Sequence, residues 1–250
     1  MRTWTRNPRW GGWPGVVVRA ILVVSVWLPL VAAAAGAIFV TNLASRVPAA
    51  PNLDLLEASY ASRVETLDAW HLGGARATQG VELHELPDHV IGAFIAAEDE
   101  DFFTHQAFNT RAILRAAYQN LRAGETVQGG STLTQQLAKQ FLGDERSYER
   151  KILELLMARR IEARYSKREI LDAYLRSVFL GHRAEGVTNA SWHYFGKDPR
   201  ELTIPEAATL AGILPAPSAY NPFASLELAQ RERDRVLRRM HETGMIDAEQ

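Results

Sequence analysis

Residues 87–108 read PDHVIGAFIAAEDEDFFTHQAF, and the pattern inside them decides how the rest of the chain is read. Ile91, Phe94 and Ile95 recur at helical spacing, and the next position on that stripe holds Glu98 where an apolar side chain belongs. Asp99, Glu100 and Asp101 follow, near the expected end of the helix, where the macrodipole disfavours negative charge. A fold selected for stability alone would not place four acids there. Partial burial and the three neighbouring acids both predict a raised pKa for Glu98, which prepares a carboxylate to exchange a proton near neutral pH. The plain alternative is a solvated acidic helix end, and the other blocks of the chain decide between the two.

Upstream, Ala20 to Val40 is a run of 21 residues without a charge, long enough to span a bilayer as a helix despite Pro29. Arg2, Arg6, Arg9 and Arg19 precede it and no acid occurs before Asp54, so the positive-inside rule leaves the N-terminus in the cytoplasm and exports the remainder. A cleaved signal peptide is the rival reading, since Ala32 to Ala35 are small. A retained anchor is favoured because the apolar run continues through Ile38, Phe39 and Val40. Beyond the anchor 24 basic side chains face 29 acidic ones, so no global basic field points to nucleic acid. Cysteine is absent, which excludes a disulfide framework, a thiol nucleophile and a cysteine metal site.

Four segments follow: a cytoplasmic N-terminus over 1–19, a transmembrane anchor over 20–40, a linker over 41–63 carrying the Pro/Ala-rich SRVPAAPN, and one domain over 64–250. Within that domain, VETLDAW and VELHEL around GGARATQG suggest a small hairpin. From Pro87 onward the periodicity is helical almost throughout, which makes the soluble part mainly α. Ile113, Leu114, Ala117, Tyr118 and Leu121 form one apolar stripe, and Ile152, Leu155 and Leu156 another. Ser166 with Glu169, and Thr203 with Glu206, read as capping boxes that start helices, and a basic amphipathic helix runs from about Leu226 to Met240.

Two more blocks bear on chemistry. GGSTLTQQLAKQ sets Gly129 and Gly130 before a helix start, with Thr132 and Gln135 as a capping box and Lys139 four residues beyond Gln135. Either an anion cradle at a helix N-terminus or an ordinary capped helix fits, and the density of Ser131, Thr132, Thr134, Gln135 and Gln136 favours the cradle. In ERKILELLMARRIE, Arg150, Lys151 and Glu154 share one helix face, roughly opposite the stripe of Ile152, Leu155 and Leu156. Surface ion pairs explain them fully. A carboxylate held between two cations would, however, stay ionised while Glu98 moves towards neutrality, the contrast that separates acid and base roles in glycosyl chemistry. His105 alone reads as a structural histidine bonded to backbone or to a neighbouring acid, and no second histidine stands at metal-ligand spacing.

In order, these blocks resemble the five motifs of family 51 glycosyltransferases, the peptidoglycan polymerases that occur as monofunctional enzymes and as N-terminal domains of class A penicillin-binding proteins. Glu98, Asp99, Phe102 and His105 match EDxxFxxH. Gly130, Ser131, Thr132, Thr134, Gln135, Gln136, Leu137 and Lys139 match GSTxTQQLxK, and Arg150, Lys151 and Glu154 match RKxxE. Lys167, Ile170, Leu171, Tyr174 and Leu175 match the fourth motif, and Leu210, Ala211, Gly212, Pro217, Tyr220, Asn221 and Pro222 the fifth. Ala107, where the family usually has Gly, and Arg176, where it usually has Asn, depart from the pattern.

The resemblance implies a lysozyme-like helical fold with a small membrane-proximal lobe. It implies lipid II and the growing glycan chain as substrates, and the bacterial cytoplasmic membrane as the location, with the catalytic domain on its outer side beside other cell-wall synthesis proteins. Glu98 is implied as the base and Glu154 as the second catalytic carboxylate. Asp99, Phe102, His105, Ser131, Thr132, Gln135, Gln136, Lys139, Arg150 and Lys151 are implied as substrate-binding residues, with the three cations on the departing pyrophosphate and a divalent cation, Mg or Mn, as cofactor. A muramidase on the same fold, or a non-catalytic scaffold, is the alternative. No SxxK or KTG motif occurs in the 250 residues, and whether this is a monofunctional enzyme or part of a bifunctional one stays open.

Overall fold

A computed structural model describes residues 13–53, 81–109, 118, 122, 130–142 and 148–247. Backbone contacts divide the chain into two units, Met1–Val47 and Pro48–Gln250. Among the described residues the first unit is a single helix, α1 (Trp13–Arg46), with Pro29 inside it. From Val16 to Arg46 it is long and apolar enough to cross a bilayer. It therefore extends beyond both ends of the 20–40 segment, and 41–46, expected as linker, continue the helix.

The second unit is built from helices whose starts are set by local chemistry. Pro87 precedes α2 (Asp88–Glu98), where the missing N–H of proline costs nothing. Thr132 caps α3 (Leu133–Lys139), and α4 spans Tyr148–Arg164. The Ser166–Glu169 box starts α5 (Lys167–Ser177), and the Thr203–Glu206 box, with Pro205 in the first turn, starts α7 (Ile204–Ile213). Between them lies α6 (Gly186–Phe195), and Ser225 caps α8 (Leu226–Glu242). Gly186 is at φ 78°, and a Cβ there would sit 2.3 Å from the Arg176 carbonyl oxygen, so only glycine fits.

α2 packs against α7 and α8, which also pack on each other, while α3 packs against α4 and α5. Phe94, Phe102, Leu133, Leu137, Met157, Ile161, Ile170, Leu171, Tyr174 and Leu210 are fully buried and form the core. Gly212 of α7 permits the close approach of α8, since a Cβ at that position would stand 3.0 Å from the backbone of Glu232. Residues 48–51, expected as free linker, are held along α4. Arg160 and Arg164 donate to the Pro48 and Ala50 carbonyls and the Tyr165 hydroxyl donates to Pro51.

Two expectations fail here. VELHEL forms no strand: Leu83–Glu85 is a 3-10 turn, and among the described residues the one β pairing is the Phe179–Glu185 bridge. The Leu83 N–H donates instead to Asp172 of α5, which also pairs with Arg176 at 3.0 Å, so the cation at the position that departs from the family pattern has its partner one turn away. Ile152, Leu155 and Leu156 are only half-buried. The buried stripe of α4 is Met157, Ala158 and Ile161, continued towards the N-terminus by Glu154 and Arg150. VETLDAW, GGARATQG and most of the stripe from Ile113 to Leu121 lie outside the described residues; Tyr118 is helical and exposed.

Candidate active site

A cleft of about 1200 Å³ opens between α3, α4 and α5 and the segments that follow α5 and α7. Ser131, Gln135, Gln136, Lys139, Gln140, Arg150, Lys151, Glu154 and Tyr174 line it on the polar side, and Val178, Phe179, Leu214, Pro215 and Pro217 on the apolar side. The apolar wall was not foreseen as part of the site, although Pro217 belongs to the fifth motif.

The cation cluster is anchored on α4. Glu154, 8% exposed, pairs with Arg150 at 3.3 Å and with Lys151 at 2.9 Å, and Lys151 also donates to the Ser131 hydroxyl at 2.9 Å. Burial of this pair at the head of the buried stripe sets it apart from a solvated helix face. Lys139 ends α3, exposed on the cleft wall with no ion pair among the described residues. Two cations tied to one carboxylate, a hydroxyl bonded to one of them and a further lysine on the cleft wall suit a polyanionic group.

The N-terminus of α3 is not an anion cradle. Asp99 Oδ2 accepts the Leu133 N–H at 3.1 Å and the Thr132 hydroxyl oxygen accepts the Gln135 N–H at 3.3 Å, so the anion seated there is the protein's own Asp99. The capping box is half made: Gln135 directs its amide to the Ala107 carbonyl at 3.0 Å, which also accepts the Thr132 hydroxyl at 3.0 Å. Ala107 is buried and keeps an ordinary negative φ, so an L-residue fits there without strain.

Asp99, Phe102, His105 and Thr132 stand behind the cleft wall. His105 Nε2 meets Asp99 Oδ1 at 2.7 Å, and its Nδ1 faces the Gln106 carbonyl. Burial opposes protonation of His105, but these two acceptors and the Asp99 charge outweigh it and move its pKa up. Both ring nitrogens face acceptors, as an imidazolium requires. Phe102 is fully buried beneath the Lys167 ammonium, 4.5 Å from the ring centre, and Lys167 pairs with Glu162, which also accepts the Thr134 hydroxyl.

Glu98 ends α2, one hydrogen bond behind the cleft: the Gln136 side-chain amide donates to its carboxylate, and the Tyr174 hydroxyl donates to the Gln136 carbonyl oxygen at 3.1 Å. Burial raises the pKa of Glu98 and the Asp99 charge adds to it, while the Gln136 hydrogen bond, Arg235 and Arg239 oppose. Burial and the Glu98 charge hold Tyr174 well above the usual phenol range, so it stays a donor. The expected pooling of three acids is corrected. Glu100 is paired with Arg239 at 3.0 Å, Asp101 accepts the Asn109 amide at 3.1 Å, and of the three acids it is Asp99 whose charge raises the pKa of Glu98.

The donor set does not fit a resident divalent cation. Among the described residues no three histidine or carboxylate side chains converge, and Glu154 at the cleft is already held by two cations.

The helical unit thus sets a carboxylate of raised pKa one hydrogen bond behind a cleft that carries three cations. Residues 65–241 match the family model described as "Transglycosylase", and the chain belongs to that family. It is 50% identical over 171 residues to penicillin-binding protein 1A of Aquifex aeolicus, covering 68% of this chain and 24% of the relative. It is 44% identical over 171 residues to penicillin-binding protein 1A of Escherichia coli, covering 68% of this chain and 20% of the relative. The crystal structure of penicillin-binding protein 1A from Haemophilus influenzae aligns at 28% identity with a TM-score of 0.37, covering 68% of this chain and 16% of that one. The chain thus spans about a quarter or less of the length of the curated relatives it matches.

Proposed function

We propose that this chain is a peptidoglycan glycosyltransferase that polymerises lipid II into β-1,4-linked glycan. The observation that carries the reading is a half-buried Glu98 of raised pKa one hydrogen bond behind a cleft lined by the Lys139, Arg150 and Lys151 cations, within a transglycosylase-family chain. Glu98 takes the proton from the acceptor sugar 4-hydroxyl. That oxygen forms a bond to the anomeric carbon of the lipid-linked growing chain with inversion, and the bond from that carbon to the pyrophosphate breaks. Lys139, Arg150 and Lys151 offset the charge that develops on the leaving pyrophosphate. Glu154 fixes Arg150 and Lys151 in that role.

Helix α1 anchors the enzyme in the cytoplasmic membrane, with the N-terminal arginines inside and the catalytic unit on the outer face, where a lipid-linked substrate is presented. The cation cluster favours this reading over a muramidase, whose glycan substrate offers no pyrophosphate at the bond that is cleaved. Incubation of the full chain in detergent with lipid II should yield glycan polymer and free undecaprenyl pyrophosphate. Cleavage of preformed glycan with no consumption of lipid II would overturn the reading in favour of the muramidase.

A further inference from the structure

Helix α8 does not line the cleft, yet it reaches the end of α2 that carries Glu98. Arg239 Nε donates to the Ala96 carbonyl at 2.7 Å, and its Nη2 donates to Glu100 Oε2 at 3.0 Å. Ala96 is among the last carbonyls of α2, which a helix leaves without intrahelical donors. One guanidinium therefore holds the residue two before Glu98 and the residue two after it. It also places a cation at the negative end of the α2 dipole, where the acidic run would otherwise be repelled.

We propose that Arg239 is a positioning residue for proton transfer at Glu98: it locks the last turn of α2 and engages Glu100, leaving Glu98 as the acid of the run directed to Gln136 and the cleft. The proposal rests on the reading of Glu98 as the base. Its surroundings support it. The charged groups acting on Glu98 are Asp99 on its own segment and Arg235 and Arg239 on α8, and Arg235 is itself bonded to Glu232 at 2.7 Å. From α3 comes the neutral amide of Gln136, and from α5 the protonated Tyr174. The one ionisable side chain of α7, Glu206, is occupied by Lys197 and Thr203, and His89 of α2 by the Leu202 carbonyl. The α8 cations are thus the opposing charges that keep the base from being protonated too readily.

The test compares initial rates of lipid II polymerisation by the full chain in detergent across pH for the wild type, R239Q and R239K, with E98Q as reference and thermal midpoints alongside. A base works deprotonated, so activity falls on the acid side as pH drops through its pKa, and loss of a neighbouring cation moves that limb to higher pH. R239Q should therefore lose about two- to fivefold more rate on the acid limb than on the plateau, the size of a charge effect at a helix terminus. R239K should return the limb to its place but leave the plateau low, because an ammonium lacks the fork that spans Ala96 and Glu100. An unmoved limb in R239Q, with or without a uniform loss of rate and a lower midpoint, overturns the proposal. Near-normal activity in E98Q overturns the reading of Glu98 itself, which separates the two failures.

Discussion

Asp99→Asn is the perturbation that best separates the buried support from the cleft. The Asp99 and His105 side chains are 5% and 10% exposed, and Asp99 accepts both His105 Nε2 and the first amide of α3. Asparagine can keep the Leu133 N–H on its carbonyl oxygen but turns an amide, not a carboxylate, to His105. A hydrogen bond to a charged partner contributes about 1.5–3 kcal/mol. With about 2–4 °C per kcal/mol for a chain of this size, the thermal midpoint near pH 6 should fall by about 3–12 °C. The pH dependence carries its own sign. His105 has a pKa raised above its ordinary 6.5, so the pair contributes fully below that value and its contribution is lost as pH rises through the raised one. The difference between wild type and variant, followed by calorimetry in detergent, should therefore narrow as pH rises. A difference below about 2 °C at both ends of the range would refute the buried-pair reasoning.

Lys139→Ala should lower polymerisation by about a hundredfold, the scale of a lost charge-stabilising donor, with stability changed by less than about 0.5 kcal/mol because the side chain is exposed; single-turnover rates and a melting curve check both halves. Gly186→Ala should destabilise by more than about 2 kcal/mol, since its φ of 78° and the 2.3 Å approach to the Arg176 carbonyl leave no room for a Cβ; an unchanged melting curve would contradict the turn geometry.

The helix starts that depend on neighbouring residues were legible in the sequence. Ser166–Glu169 and Thr203–Glu206 form the reciprocal boxes that their spacing predicts. Thr132–Gln135 has the same spacing and forms half a box, because the Ala107 carbonyl, 28 positions from Gln135, competes for its amide. Periodicity misread α4 because the buried face there begins with Arg150 and Glu154, and charged residues do not register as an apolar stripe. Within the site, the raised pKa of Glu98 was legible from its place on the α2 stripe, but its cause was assigned too widely. Arg239 and Asn109 answer two of the three acids, and neither is near them on the α2 stripe that was read. The link from Tyr174 through Gln136 to Glu98 joins three segments of the chain, and no local pattern announces it.

Glu98→Gln tests the central claim most directly. Glutamine keeps the shape and the contact with Gln136 but cannot accept the acceptor's proton, so lipid II consumption should fall by at least about a hundredfold. Burial disfavours the charged carboxylate, so its removal should leave the thermal midpoint unchanged or raise it. A variant that still consumes lipid II within a few fold of the wild-type rate would contradict the assignment of Glu98 as the base.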